Sequence, residues 1–245
     1  MKTAIIIPAR MASQRLPNKP MLKINGIPMI ERVWRRAINS KIGDVYVACS
    51  EEEVFDLINS KGGKSIMTDP NLRSGTDRVF AAFNLLDNKN EYESIINLQG
   101  DMPLIDSIDI QSVNTPLKNG YDIGTIATNI SSDEEKNKNI TKVSIDWKQE
   151  YVVGNSLDFY KFSKKQFTNI YQHVGIYSFK PSALRKFVSL PASKNEIDRK
   201  LEQLRAIDAG IKIGITYVEN VPISVDTLED LILIENILKN RHENK

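Results

Sequence analysis

Along the first half of the chain, short apolar runs rich in β-branched residues alternate with stretches whose apolar positions recur every three or four residues. Ala4–Ile7 reads as a buried strand ended by Pro8, and Asp44–Cys49, Lys64–Met67, Ser94–Leu98 and Ile123–Thr128 read as further strands. Between them, Pro28–Asn39 carries Met29, Ile30, Val33, Trp34, Ala37 and Ile38 at helical spacing, with Pro28 suited to a first turn. Glu52–Ser60, closed by Gly62-Gly63, and Thr76–Leu86, with Val79, Phe80, Phe83 and Leu86 on one side, are the next helices. Strand and helix alternating in this way predict βαβ units, hence an α/β fold with a mainly parallel central sheet flanked by helices. Ligands of such sheets bind beyond the carboxyl ends of the strands, so the loops there are the places to seek chemistry.

The middle of the chain changes character. Ser131–Ile140 is polar and reads as a solvated loop, whereas Lys142–Asp146 and Val174–Phe179 alternate with the period of two that marks a strand with one wet face. Tyr151–Tyr171 shows no clear period. The expectation is one domain over residues 1–245, with an antiparallel arm or insertion over roughly 129–180. The final third returns to α/β: a helix over Ile197–Ala209 stopped by Gly210, a strand over Lys212–Val218, and a helix from Thr227. Thr227 and Asp230 have the spacing of a capping box.

Composition narrows the function classes. The 245 residues hold 33 Lys+Arg against 31 Asp+Glu, a net charge of +2, which supplies no bulk attraction for nucleic acid. No run approaches the ~18 apolar residues of a membrane span. The apolar run after Met1 is too short for a signal peptide, so a soluble cytoplasmic protein is expected. Cys49 is the only cysteine and offers neither an internal disulfide nor a zinc cluster.

Four segments after strands carry more polar and conformationally special residues than a connection needs. Pro8–Pro20 places Arg10, Arg15 and Lys19 among small residues such as Ala9 and Ser13; guanidinium forks, an ammonium and close backbone N–H groups suit a polyphosphate. The same composition also describes a solvated basic loop. Neither G-x-x-x-x-G-K-[ST] nor G-x-G-x-x-G is present. In Arg73–Arg78, Ser74 and Gly75 bring backbone N–H groups to a positive helix end, or form a plain turn with an N-cap. In Asn97–Ile105, Gln99 and Asp101 sit at a strand's carboxyl edge, where an Asp is a hard-oxygen ligand for Mg²⁺ or part of a Gly-Asp turn. Asp226 is a second candidate carboxylate for the metal, or a favourable charge at a helix start.

Taken in order, I-I-P-A-R-x-x-S-x-R-L-P-x-K-P, S-G-T-D-R, N-x-Q-G-D-x-P-L-I, H-V-G-I-Y, L-E-Q-L-R and V-D-T-x-E-D-L resemble the 3-deoxy-manno-octulosonate (Kdo) cytidylyltransferases, the CMP-Kdo synthetase family, from about Thr3 to Leu238. The resemblance implies a sugar-nucleotidyltransferase, Rossmann-like fold and an Mg²⁺-dependent transfer of CMP from CTP to an acidic 2-keto sugar. It also implies a homodimer and a product used in lipopolysaccharide inner-core assembly. It further implies that Arg10, Arg15 and Lys19 hold the triphosphate, and that Pro8, Ala9, Ser13, Arg73, Ser74, Gly75 and Gln99 contribute to nucleotide binding. Asp101 and Asp226 would ligate Mg²⁺; Arg10, Arg15, Lys19, Asp101 and Asp226 form the expected catalytic set. Arg78, His173, Tyr177, Glu202 and Gln203 fall on the sugar side. From residue chemistry alone, His173 is equally a hydrogen-bonded structural histidine, and Glu202 and Gln203 are ordinary helix-surface residues.

Three positions depart from the family pattern. Met102 stands where the family has Glu, Leu157 where a sugar-binding Arg is expected, and Asp198-Arg199 where Ile-Glu is usual. Lys161, Lys164 and Lys165 are candidate substitute cations. These departures keep two alternatives open: an acceptor such as an amino-Kdo or a nonulosonate, and a non-catalytic nucleotide-binding paralogue.

Overall fold

The computed structural model describes residues 1–12, 16–87, 91–162 and 167–243. In chain order the elements are β1 (Thr3–Pro8), a 3₁₀ turn (Lys19–Met21), β2 (Lys23–Ile24), β3 (Ile27–Pro28), α1 (Met29–Asn39), β4 (Asp44–Cys49), α2 (Glu52–Ser60), β5 (Ser65–Met67) and α3 (Gly75–Leu86). There follow β6 (Ser94–Asn97), α4 (Ser107–Ser112), α5 (Thr115–Lys118), β7 (Ile123–Thr128), α6 (Ser132–Lys136), β8 (Lys142–Gln149), β9 (Val153–Tyr160) and β10 (Ile170–Phe179). The chain closes with α7 (Pro181–Ser189), α8 (Lys194–Arg199), α9 (Leu204–Asp208), β11 (Ile213–Tyr217) and α10 (Leu228–Glu243). The chain divides into two compact units, and the divisions do not follow the 129–180 segment. No described helix is long and apolar enough to cross a membrane.

The first unit comprises residues 2–91, 97–110 and 222–245. Its strands run in the order β5-β4-β1, and both pairings are parallel. Ile5, Ile6 and Ile7 are wholly buried, as expected of a strand covered on both faces. In α1, Met29, Ile30, Val33, Trp34 and Ala37 are buried, so the helical spacing reports a real apolar stripe; Ile38 falls off it and is exposed. The hairpin of β2 and β3 has no counterpart among the expected elements, although Asn25-Gly26 has the positive φ values, 45° and 78°, of the tight turn that joins it. Ile24, Met29, Leu104, Val225, Ile234 and Leu238 form one buried apolar cluster, which anchors α10 and the strand-end segments around Leu104 and Val225.

The second unit comprises Met1, residues 92–96 and residues 111–221. Its strands lie in the order β6-β10-β7-β11-β9-β8, with β10 also pairing with β8. Here β7 and β11 are parallel, but the β10–β7, β10–β8, β11–β9 and β8–β9 pairings are antiparallel. The mainly parallel expectation therefore holds for the first unit and gives way to a mixed arrangement in the second. The physical reason is connection length: only Glu150, Tyr151 and Val152 join β8 to β9, enough for a hairpin and far too few for a crossover. Tyr151 takes the positive φ, 60°, that this turn requires.

Other local expectations change as well. The aperiodic 151–171 stretch contains a regular strand, β9. The polar Ser131–Ile140 segment contains α6, opened by a reciprocal cap between Ser131 and Glu134. The helix expected over Ile197–Ala209 is two helices, because Lys200 adopts the left-handed conformation (φ 55°) and ends α8.

Candidate active site

β1 ends at Pro8, and its last apolar residues lie deep in the core, so the backbone delivers Ala9 and Arg10 at the carboxyl edge of the sheet. Leu98 N–H donates to Ile6 O (3.2 Å), which brings Gln99, Gly100 and Asp101 to the same edge. Gly100 is needed there: a Cβ would sit 3.0 Å from Pro8 O. Ser74 caps α3 by accepting from Asp77 N–H (3.1 Å), while Asp77 accepts from Ser74 N–H (3.1 Å). The plain N-cap reading of Ser74-Gly75 is thus correct, and the same residues also line the cavity.

That cavity, about 870 Å³, is lined by Pro8, Ala9, Arg10, Lys19, Ser74, Gly75, Arg78, Gln99, Asp101 and Asp226 among others, all within the first unit. Asp101 and Asp226 converge on one cation: Lys19 Nζ lies 2.7 Å from Asp101 Oδ2 and 3.3 Å from Asp226 Oδ1. The segments bearing the two acids are tied by Val225 N–H donating to Asp101 O (2.9 Å). Asp230 accepts from the Asp226 and Thr227 N–H groups (2.9 and 2.8 Å), and its own N–H donates to Thr227 Oγ1 (3.3 Å), so the expected cap is formed. Among the described residues no group of three or more His, Cys, Asp or Glu is placed to hold a metal ion.

Not every expected nucleotide residue gathers here. Arg73 is exposed and is not among the lining residues. Ser13 and Arg15, like the substitute-cation candidates Lys164 and Lys165, lie outside the described residues. Arg78, expected on the sugar side, lines this cavity instead, and it is only 2 % exposed. Its Nη1 donates to Thr68 Oγ1, whereas its buried Nη2 has no partner. Burial lowers its pKa and nearby Arg10 adds to the effect, with Glu51 opposing. A buried guanidinium with an unused Nη2, beside a second cation, is arranged to receive an electron-rich group. The motif singles out Arg78 but not its burial, which depends on packing across α3.

The remaining sugar-side candidates belong to the second unit. His173 and Tyr177 share one face of β10, with ring centroids 5.4 Å apart, and the β10–β7 register shifts between Val174 and Tyr177. The Thr125 hydroxyl donates to Ile176 O (2.7 Å), so its oxygen accepts from His173 Nε2–H (3.0 Å), which fixes the neutral tautomer. Burial lowers the His173 pKa to about 3. Burial also raises the Tyr177 hydroxyl, with Glu202 adding to it, so both groups are neutral at physiological pH. Glu202 and Gln203 are not on a continuous helix surface: they sit in the break after Lys200, and Gln203 stands at the N-cap position of α9 and is buried.

The residues at the departures are also placed. Met102 is buried, and Leu157 is 52 % exposed on β9. Arg199 pairs with Asp158 (2.7 Å) and donates to Phe159 O (3.2 Å). Lys161 contributes its carbonyl oxygen, which accepts from the buried Lys142 Nζ (2.8 Å).

The depressed His173 pKa makes a prediction. The unfolded chain takes up a proton near pH 6.5 that the fold resists until about pH 3, so stability is full above pH 6.5 and declines as pH falls towards 3. Thermal melts of His173→Gln should lose part of this acid sensitivity between pH 6.5 and 4. A wild-type pH–rate profile should show no inflection that His173→Gln abolishes.

A family model described as cytidylyltransferase matches residues 4–213. A 3-deoxy-manno-octulosonate cytidylyltransferase of Paramagnetospirillum magneticum is 42% identical over 96% of this chain and 97% of its own length. That of Parvibaculum lavamentivorans is 41% identical over 93% and 89%. Among solved structures, a CMP:2-keto-3-deoxy-manno-octonic acid synthetase complexed with CTP superposes with a TM-score of 0.89 at 32% identity, covering 98% of this chain and 100% of that one. A 4-diphosphocytidyl-2C-methyl-D-erythritol synthase of Anaerococcus prevotii, 14% identical with a TM-score of 0.68, shares the fold. With strand-end loops that gather two carboxylates around a lysine, and with this likeness over nearly its whole length, the chain belongs to the cytidylyltransferase family and, within it, to the 3-deoxy-manno-octulosonate cytidylyltransferases.

Proposed function

We propose that this protein transfers CMP from CTP to 3-deoxy-manno-octulosonate, with release of pyrophosphate. The observation that carries the reading is the convergence of Asp101 and Asp226 on one cationic position in the cavity that Arg10, Ser74 and Gly75 also line. In the reaction the anomeric hydroxyl of the acceptor attacks the α-phosphorus of CTP and pyrophosphate leaves in line. Such transfers depend on positioning and charge neutralisation more than on covalent help from the protein. Arg10 and Lys19, with Arg15 from the same loop, neutralise the triphosphate. Ser74 and Gly75 present the start of α3, and Pro8, Ala9, Gln99 and Arg78 enclose the nucleoside.

Asp101 and Asp226 are the residues that would hold Mg²⁺. Their fit to it rests on hard oxygen donors already sharing one cation, with too few further metal-type side chains among the described residues to form a closed protein site. When bound, the ion supplies charge neutralisation of the phosphates and polarisation at the reacting phosphorus. His173, Tyr177, Glu202 and Gln203 recognise the acceptor, offering neutral and carboxylate partners for its hydroxyls. The reading includes a homodimer, in line with the sequence resemblance.

Pyrophosphate release from CTP and Mg²⁺ tests this with a panel of acceptors: Kdo, an amino-Kdo and a nonulosonate. The expected result is turnover with Kdo at a kcat/KM at least about tenfold above the others, the size of one lost or misplaced polar contact. Release with another acid but none with Kdo changes the acceptor and keeps the reaction. CTP binding without release on any acceptor overturns the enzymatic reading.

A further inference from the structure

The ammonium of Lys19 occupies the position shared by the two carboxylates, 2.7 Å from one and 3.3 Å from the other. We infer that Lys19 is a resident counter-ion that keeps a divalent cation off Asp101 and Asp226 until a nucleoside triphosphate draws the ammonium away. The inference rests on the proposed metal role of these two acids and adds an order to the binding events.

Three observations support it. The first is charge. An ammonium and a divalent ion repel each other, so the ammonium on Asp101 Oδ2 and Asp226 Oδ1 opposes a divalent ion on the same two carboxylates. Moving the ammonium away removes that opposition.

The second is ligand number. Mg²⁺ and Mn²⁺ take about six ligands in near-octahedral geometry, and Mg²⁺ is usually held by one or two carboxylates plus substrate phosphates. The described residues supply no group of three or more metal-type side chains. A divalent ion arriving alone would have to displace a well-placed ammonium and would gain only two protein carboxylates.

The third is mechanical. Backbone bonds hold both acids: Val225 N–H to Asp101 O (2.9 Å), and Asp226 N–H to Asp230 Oδ2 (2.9 Å). The backbone of Lys19 is likewise held in a 3₁₀ turn, where its carbonyl accepts from Leu22 N–H (3.3 Å). What can swing is the flexible four-carbon stem of Lys19, whose ammonium binds from many directions. A triphosphate entering the cavity offers it denser negative charge, beside Arg10, and brings the missing metal ligands at the same moment. Metal and nucleotide then bind with positive coupling, and by linkage each raises the affinity for the other.

The test uses the full-length protein and Mn²⁺ alone, with free Mn²⁺ followed by electron paramagnetic resonance in the absence of nucleotide. Wild type should bind weakly, and Lys19→Met at least about tenfold more tightly. Lys19→Arg, which keeps a cation between the acids, should bind as weakly as wild type. Adding Asp101→Asn to Lys19→Met should abolish the gain. Mn²⁺-induced shifts in melting temperature provide a second reading on the same proteins and report whether each variant is folded.

Tight Mn²⁺ binding to the wild type without nucleotide overturns the inference, and that measurement requires no variant. Equal Mn²⁺ affinity in folded Lys19→Met and wild type also overturns it. In that case the metal assignment still stands if Asp101→Asn weakens the Mn²⁺-dependent part of CTP binding. If Asp101→Asn leaves that part unchanged, the metal assignment fails and the inference falls with it.

Discussion

Asp101→Asn is expected to lower kcat/KM for pyrophosphate release by about 10³, roughly 4 kcal/mol of transition-state stabilisation, while the melting temperature moves by only a few degrees. Asn keeps the size of the side chain and one oxygen, so the loop after β6 and its backbone bond to Val225 remain as they are. What disappears is one of two negative charges placed to hold a cation beside the phosphates. The loss to folding is small because Asp101 and Lys19 are both partly exposed, 25% and 16% at the side chain, and solvent screens their attraction. The catalytic loss is large because the charge is needed where phosphate charge shifts during transfer. Steady-state kinetics with a coupled pyrophosphate assay, alongside thermal melts, separate the two effects. Unchanged release in the folded variant would remove Asp101 from the chemistry.

Arg78→Met is expected to raise KM for CTP by about 10- to 100-fold, the value of one charge-assisted hydrogen bond of ~1.5–3 kcal/mol, with little or no loss of stability. The split between affinity and stability identifies the role. Were Arg78 purely structural, deleting a buried charged side chain with satisfied partners would destabilise the protein strongly. Here the guanidinium has a protein partner at Thr68, an orphaned Nη2, a neighbouring like charge at Arg10 and an opposite charge at Glu51. An apolar side chain of similar volume relieves that cost in the free protein and forfeits the contact in the complex. Thr68→Ala is the control: it loosens Arg78 without removing its charge, and its KM should rise by a smaller factor. A folded Arg78→Met with unaltered KM would return Arg78 to the acceptor side or to a structural part.

Helices and strands with strong local periodicity are legible from the chain alone. Met29 to Ala37 show their buried stripe in the spacing itself, and Ile5 to Ile7 show two-sided burial in an unbroken apolar run. Arg10, Lys19, Asp101 and Asp226 are legible as chemically special residues after predicted strands, and the N-cap at Ser74 and the capping box at Thr227 as local hydrogen-bond patterns. Less legible is anything that depends on partners distant in sequence. β9 pairs with β8 and β11, and its register shifts against β8, so its own residues do not repeat cleanly. The break at Lys200 rests on a single left-handed residue that no apolar spacing signals.

Which residue types could handle a nucleotide, and which faces of the helices had to be buried, follow from side-chain chemistry and short-range spacing along the chain. Only in the folded chain does Lys19 meet Asp101 and Asp226, across 82 and 207 residues, and does Arg78 turn inward with an unpaired nitrogen. Those outcomes are set by long-range backbone bonds, such as Val225 N–H to Asp101 O, and by the packing of α10 on the cluster around Ile24 and Met29. No local pattern encodes the distance between residues so far apart along the chain.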